Sequence, residues 1–136
     1  MWIFLSDAFV SIVEDHKCPS LVLVRARTEQ HLTNFLTAEI EDENTHWTVQ
    51  NARDNCMYET PGRDYRWRVT LSKDVVSQLM AVHASNIDYS NFKDSIRSNR
   101  YHDAAARVWH EVGKLQKGGP YSGASSPERY SNDAVL

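Results

Sequence analysis

The chain is poor in the residues that mark several protein classes. It has two cysteines, Cys18 and Cys56, which are far apart and in no close metal-spaced pair. A zinc ribbon or a disulfide-stapled scaffold is therefore excluded, and two reduced thiols are expected, although one disulfide between them stays open. Positive charge is in deficit, with a formal net charge of -3. Proteins that grip duplex DNA non-specifically are usually basic overall, so any nucleic-acid contact here has to come from a local patch. No apolar run approaches the roughly 18 residues of a membrane span. The start, MWIFLSDAFVSIVED, has no basic segment, and Ser6 and Asp7 interrupt its apolar residues, so it reads as strand and not as a secretory leader. The expected location is cytoplasmic. Catalytic signatures are missing too. No glycine-rich phosphate loop precedes a helix, no HExxH occurs, and no serine has a base at a useful spacing. No cofactor and no metal are expected, and enzyme action is the weaker reading.

What is present is enough for one domain with a modest core: 136 residues, 41% hydrophobic and 24% charged. Residues 2–5 are apolar, and 8–14 alternate, with Ala8, Val10 and Ile12 on one face and Phe9, Ser11 and Val13 on the other. DHKCPS is a turn signal, and LVLVRAR beyond it is a second strand, so a hairpin is expected. Thr28 and Glu29 open a short helix to about residue 37, with Leu32, Phe35 and Leu36 as its apolar stripe. TPGRD is another turn, followed by a strand over 65–71. Ser72 and Asp74 then start a helix that ends near Asn86. A last helix is predicted over 101–116, with Tyr101, Ala105, Val108, Val112 and Leu115 turned inward. Trp2, Trp67 and Trp109 are expected to support the core. The fold class is α+β: a small antiparallel sheet of about three strands with two to four helices on one face. Residues 1–117 form the compact domain, interrupted by a long polar loop at 39–60. In that loop HWTVQ is either a small edge strand or part of a functional excursion. Residues 118–136 read as a mobile tail.

Two of the strands carry an Arg-x-Arg pair, and residues two apart in a strand share a face. Arg25 and Arg27 therefore point together, as do Arg66 and Arg68, while Val24, Ala26, Tyr65, Trp67 and Val69 lie under the helices. If the strands are neighbours, four guanidiniums decorate the open face of the sheet. Arginine stems serve simply as the wet side of a half-buried sheet. Their forks also recognise carboxylates and phosphates with fixed geometry. Trp47 and Tyr58 of the polar stretch can add an aromatic anchor to that surface or stack on a base. A second candidate surface is the junction 86–104, which mixes Tyr89, Phe92, Lys93, Arg97 and Arg100. Aromatic and arginine residues are enriched at interface hot spots, and the two rings could equally fill the gap between two helices.

Arg97 and His102 stand in an Arg-x4-His arrangement, which resembles the motif of helical ribonucleases of the HEPN type, where the histidine can act in acid-base cleavage. The spacing is short and arises readily by chance, and three predicted strands do not suit an all-helical family. His102 and His110 are about two turns apart, too far to share a metal. A broader resemblance runs through MWIFLSDAFVSIVED, LVLVRAR, TPGRDYRWRV, IDYSNFKDSI and RYHDAAARVW. These blocks resemble a family of small uncharacterised bacterial proteins, met also in phage and mobile elements, over most of residues 1–110. The family brings no activity with it. The stretch 39–60 and the residues after Lys117 depart from its pattern. The leading expectation from the residues is a non-catalytic protein-protein interaction module, and the mobile-element origin that the resemblance implies would suit an inhibitor of a host defence complex. The alternative is a small RNA- or DNA-binding protein, or a weak ribonuclease, using the arginine face and His102. A protein complex is the expected partner, nucleic acid the alternative, with no membrane and with dimerisation left open.

Overall fold

Backbone alternation in a strand sends successive side chains to opposite faces, and in the computed structural model of this chain, which describes residues 1–119, that rule builds a five-stranded antiparallel sheet. The strands are β1 (Trp2–Leu5), β2 (Ala8–Glu14), β3 (Leu21–Ala26), β4 (Tyr58–Glu59) and β5 (Trp67–Ser72), in spatial order β1-β2-β3-β5-β4. The expected hairpin of β2 and β3 is present, closed by Asp15, whose Oδ1 accepts from the N–H groups of Lys17 and Cys18 at 2.9 and 3.0 Å. Two edge strands go beyond the three expected. The N-terminal apolar stretch folds back at Ser6–Asp7, so that Leu5 faces Ala8. Tyr58–Glu59 is drawn alongside β5 by the Thr60–Arg63 turn. There the Arg63 N–H donates to the Thr60 carbonyl at 3.2 Å and Gly62 takes φ 79°. Proline then glycine at the two central positions is the type II pattern, which needs a positive φ at the second.

The described residues also form five α-helices: α1 (Glu29–Leu36), α2 (Glu43–Asn51), α3 (Lys73–Ser85), α4 (Phe92–Ser95) and α5 (Asn99–Gly113). The chain divides into two compact units, Met1–Ser95 and Ile96 onward, so the sheet and α1–α4 belong to the first and α5 to the second. The core of the first unit is one cluster. Val10, Ile12, Val22, Val24, Ala26, Val69 and Leu71 supply one face of the sheet. Leu32, Phe35 and Leu36 of α1, Val49 of α2, and Val75, Val76 and Leu79 of α3 cover it. The starts of α1 and α3 follow the cap residues: Thr28 accepts from the His31 N–H and Ser72 from the Val75 N–H, both at 3.2 Å. Each cap satisfies one donor that the first helical turn leaves without a partner.

The stretch 39–60 is not the long polar loop expected from its composition. Asp42 caps α2 by accepting from the Asn44 and Thr45 N–H groups, and Thr45, Val49 and Ala52 turn inward along one stripe. A π-helical turn, Ala52–Cys56, follows and leads into β4. In the second unit, α5 starts at the Ser98 cap and buries Tyr101 and Ala105, while Val112 and Leu115, expected to face inward, are exposed together with Trp109. Trp2, expected in the core, is 64% exposed because it stands on an edge strand and on the face away from the core cluster. From residue 120 on, the expected tail lies outside the described residues. Among the described residues no helix is long and apolar enough to cross a membrane.

Helix α1 is tied to β2 by a titratable bond: the Phe9 N–H donates to Nδ1 of His31 at 3.2 Å, which requires that nitrogen to be unprotonated. Burial holds His31 below its ordinary value of 6.5, with Asp7 pulling weakly the other way. A histidine with a depressed folded pKa contributes stability that is complete above the unfolded value and is lost as the pH falls below it. The denaturation midpoint should therefore drop between about pH 7.5 and about pH 5.5. The drop should shrink in His31→Asn, whose amide oxygen can take the same N–H without titrating. Equal drops in both proteins would remove His31 from the account. Gly62→Ala should cost about 1–2 kcal/mol in denaturant unfolding, from backbone strain alone, since nothing lies within 4 Å of the added Cβ.

Candidate binding face

The sheet has a second face, opposite the core cluster, and its composition differs sharply. The register places Trp2 beside Ser11, Ser11 beside Arg25, Arg25 beside Arg68 and Arg68 beside Tyr58. These five residues form a single row crossing all five strands, about 19 Å long at the usual strand spacing. Its ends are open, with Trp2 64% and Tyr58 45% exposed. Its middle is packed: Ser11 is 1% exposed, and the Arg68 side chain is 16% exposed.

Two guanidiniums directly opposite each other on neighbouring strands repel, and the surrounding groups offset that only in part. Arg25 Nη2 donates to Ser11 Oγ at 2.8 Å, and its Nε is buried with no hydrogen-bond partner. Arg68 Nε donates to Thr60 Oγ1 and to the Tyr65 carbonyl, both at 3.1 Å, and Nη2 reaches Asp64 at 3.4 Å. Tyr65 is the platform of the site. Its ring lies 4.6 Å from the Arg25 guanidinium carbon and 4.2 Å from that of Arg27. Cation–π contacts of this kind contribute about 0.5–2 kcal/mol each, more when water is excluded. Phe9, at 6.4 Å between ring centroids, joins Tyr65 to an aromatic group in which Phe9 stacks on Phe4 at 4.5 Å and meets Trp2 edge-on at 5.9 Å.

Tyr65 was expected under the helices with Trp67 and Val69. It is buried on the arginine side instead, because the ladder of β5 starts only at Trp67 and residues 63–65 form a bend where strict alternation does not apply. The four arginines are likewise not one open array. Arg25, Arg27 and Arg68 gather around Tyr65, with Arg27 also donating to the Asp64 carbonyl, whereas Arg66 turns to an ion pair with Glu59. Arg25 is half-buried, and only Arg27 and Arg66 are well exposed. Among the described residues neither Arg25 nor Arg27 makes an ion pair with a carboxylate.

The remaining candidates lie elsewhere. Trp47 is 68% exposed on α2, in the helical layer and away from the row. Tyr89 and Phe92 pack on each other at 6.0 Å, with Lys93 partly buried beside them. Arg97, Arg100 and His102 belong to the second unit, where the two arginines are exposed and His102 Nδ1 stands 3.7 Å from Asp103. No group of three or more His, Cys, Asp or Glu among the described residues could hold a metal ion. The sequence reading missed Ser11, Tyr65 and Trp2 as parts of the face. The polar Ser11 within the alternating run of β2 was the available signal.

If Arg25 served the fold alone, its removal would be costly. Its opposition to Arg68 and its stranded Nε predict the reverse. Arg25→Met should leave the urea midpoint unchanged or raise it, within about 1 kcal/mol of the native protein. A loss beyond about 2 kcal/mol would make Arg25 a structural residue. No family model, curated protein or solved structure matches this chain, and its function is read from this face.

Proposed function

We propose that the protein works by binding another protein, without catalysis, through the arginine–aromatic row of its sheet. The observation that carries this reading is the cross-strand opposition of Arg25 and Arg68, with Arg27 beside them, held on a tyrosine ring and flanked by exposed Trp2 and Tyr58. Locally this arrangement conflicts with sheet stability, and conflicts of that kind are expected where function requires them. Arginine and aromatic residues are also the types that dominate interface energetics. A carboxylate on a partner would neutralise the cluster, and apolar residues on either side of it would cover Trp2 and Tyr58. The partner surface is therefore acidic at its centre and apolar at its flanks. If the blocks MWIFLSDAFVSIVED and TPGRDYRWRV mark a family of small bacterial proteins met also in phage and mobile elements, the role would be that of an inhibitor that occludes part of a host defence complex. Such a role is one of contact alone.

A nucleic-acid reading rests on one specific feature, the exposed ring of Tyr58 beside the Arg68 guanidinium, with the exposed Trp2 ring at the other end of the row, rings that could stack on bases. The net charge of -3 weighs against it. The two separate in a capture experiment from bacterial lysate run with and without nuclease. A protein partner should be retained after nuclease treatment and lost with the Trp2→Ser/Tyr58→Ser pair. Retention only without nuclease, together with a steep fall in affinity for a labelled RNA as salt rises, would favour the nucleic-acid reading. Capture of nothing in either condition would count against both.

A further inference from the structure

The helical side of the first unit carries a concave surface of opposite charge. A groove of about 770 Å³ lies between α3 and the segment 39–42, and a recess of about 290 Å³ adjoins it at Asn86. The floor of the groove is one stripe of α3, residues Gln78, Ala81, Val82 and Ser85, spaced three and four apart as helical neighbours are, with the cap residue Asn86 at its end. Ile40 adds a further apolar surface. The opposite wall brings the carboxylates of Glu39, Glu41 and Asp42, and the recess brings Asp7 and Asp88. No lysine or arginine lines either cavity.

We propose that this groove receives a basic segment of a partner protein, with lysine or arginine side chains alternating with small or apolar ones. The charge complementarity is one-sided. Asp42 is committed to capping α2, but Glu39, Glu41, Asp7 and Asp88 make no ion pair among the described residues. The C-terminus of α3, a thirteen-residue helix ending at Ser85, lies at the junction of the two cavities, where its cap residue Asn86 lines both, and its negative dipole end adds to the local negative charge. In the recess, His83 is held by a 2.8 Å bond between Nε2 and the Phe35 carbonyl, so it is fixed as part of the wall. The volume suits several side chains. The aliphatic stems of lysine or arginine would lie on Ala81, Val82 and Ile40 while their charged heads reached the carboxylates. The arginine row on the other face of the sheet attracts acidic surfaces, so the two sites call for partners of opposite charge, and this one does not depend on the reading of the row.

A labelled hexapeptide of alternating lysine and leucine is the probe, with its glutamate–leucine counterpart as control, read by amide chemical shifts and fluorescence anisotropy of the full chain. The lysine peptide should bind saturably and shift the amides of Gln78, Ala81, Ser85 and Asn86, and the glutamate peptide should not. Glu39→Gln/Glu41→Gln, which leaves the Asp42 cap in place, should weaken binding about tenfold or more, and Ala81→Arg should do the same by filling and recharging the floor. Trp2→Ser should leave the affinity unchanged. Binding that does not saturate, shifts that fall outside the groove, an unaltered affinity in both folded groove variants, or no binding at all would each overturn the proposal.

Discussion

The pairing of β3 with β5 is the constraint on which both faces of the sheet depend. It sets Val24 against Val69 on one side and Arg25 against Arg68 on the other, and a slip of one residue would exchange the two sets. The apolar side fixes the register, because fifteen buried residues converge on that face. The guanidinium side has to accept the outcome. Its repulsion is tempered by Ser11, by the Tyr65 ring and by oxygens of the Thr60–Arg66 turn, all brought to the spot by elements on either side of the pair. Core packing thus holds together a charge arrangement that would not assemble on its own.

How much of this could be read from the residues alone depended on whether a local signal existed. β2, β3, β5, α1 and α3 were legible, since alternation, Thr28 and Ser72 state them locally. β1 was not separated from β2 because the apolar residues on both sides of Ser6–Asp7 read as one strand, although Ser and Asp are both turn-forming residues. α2 was hidden by composition: its inward stripe of Thr45, Val49 and Ala52 has one strongly apolar member, and the exposed Trp47 drew attention to the wrong side. For the site, the shared face of Arg25 and Arg68 followed from strand period, but Tyr65 could not, because it lies in a bend that ends two residues before the ladder begins. Exposure of Val112 and Leu115 ran against an otherwise regular helical stripe, and nothing in the spacing distinguishes them from Tyr101 and Ala105.

The modest net charge conceals a separation of sign within the first unit. Arginines gather on the bare side of the sheet, and carboxylates line the groove on the helical side. Such separation orients a molecule as it approaches a charged surface, and it sharpens the choice of which side makes first contact. It also means that overall charge says little about either surface, which is why composition alone could exclude a broadly basic binder but could not locate the arginine cluster.

The strand margins carry a further consequence. β4 lies along only the first part of β5, yet the π-helical turn Ala52–Cys56 packs alongside β5 and shields it. At the opposite margin β1 is only four residues long, and its backbone runs back to Ile12 through bonds from Met1. Short or obstructed margins deny a second chain the run of free amides and carbonyls that fibril growth needs. Margins this short give a molecule with exposed rings little strand edge through which to extend its sheet.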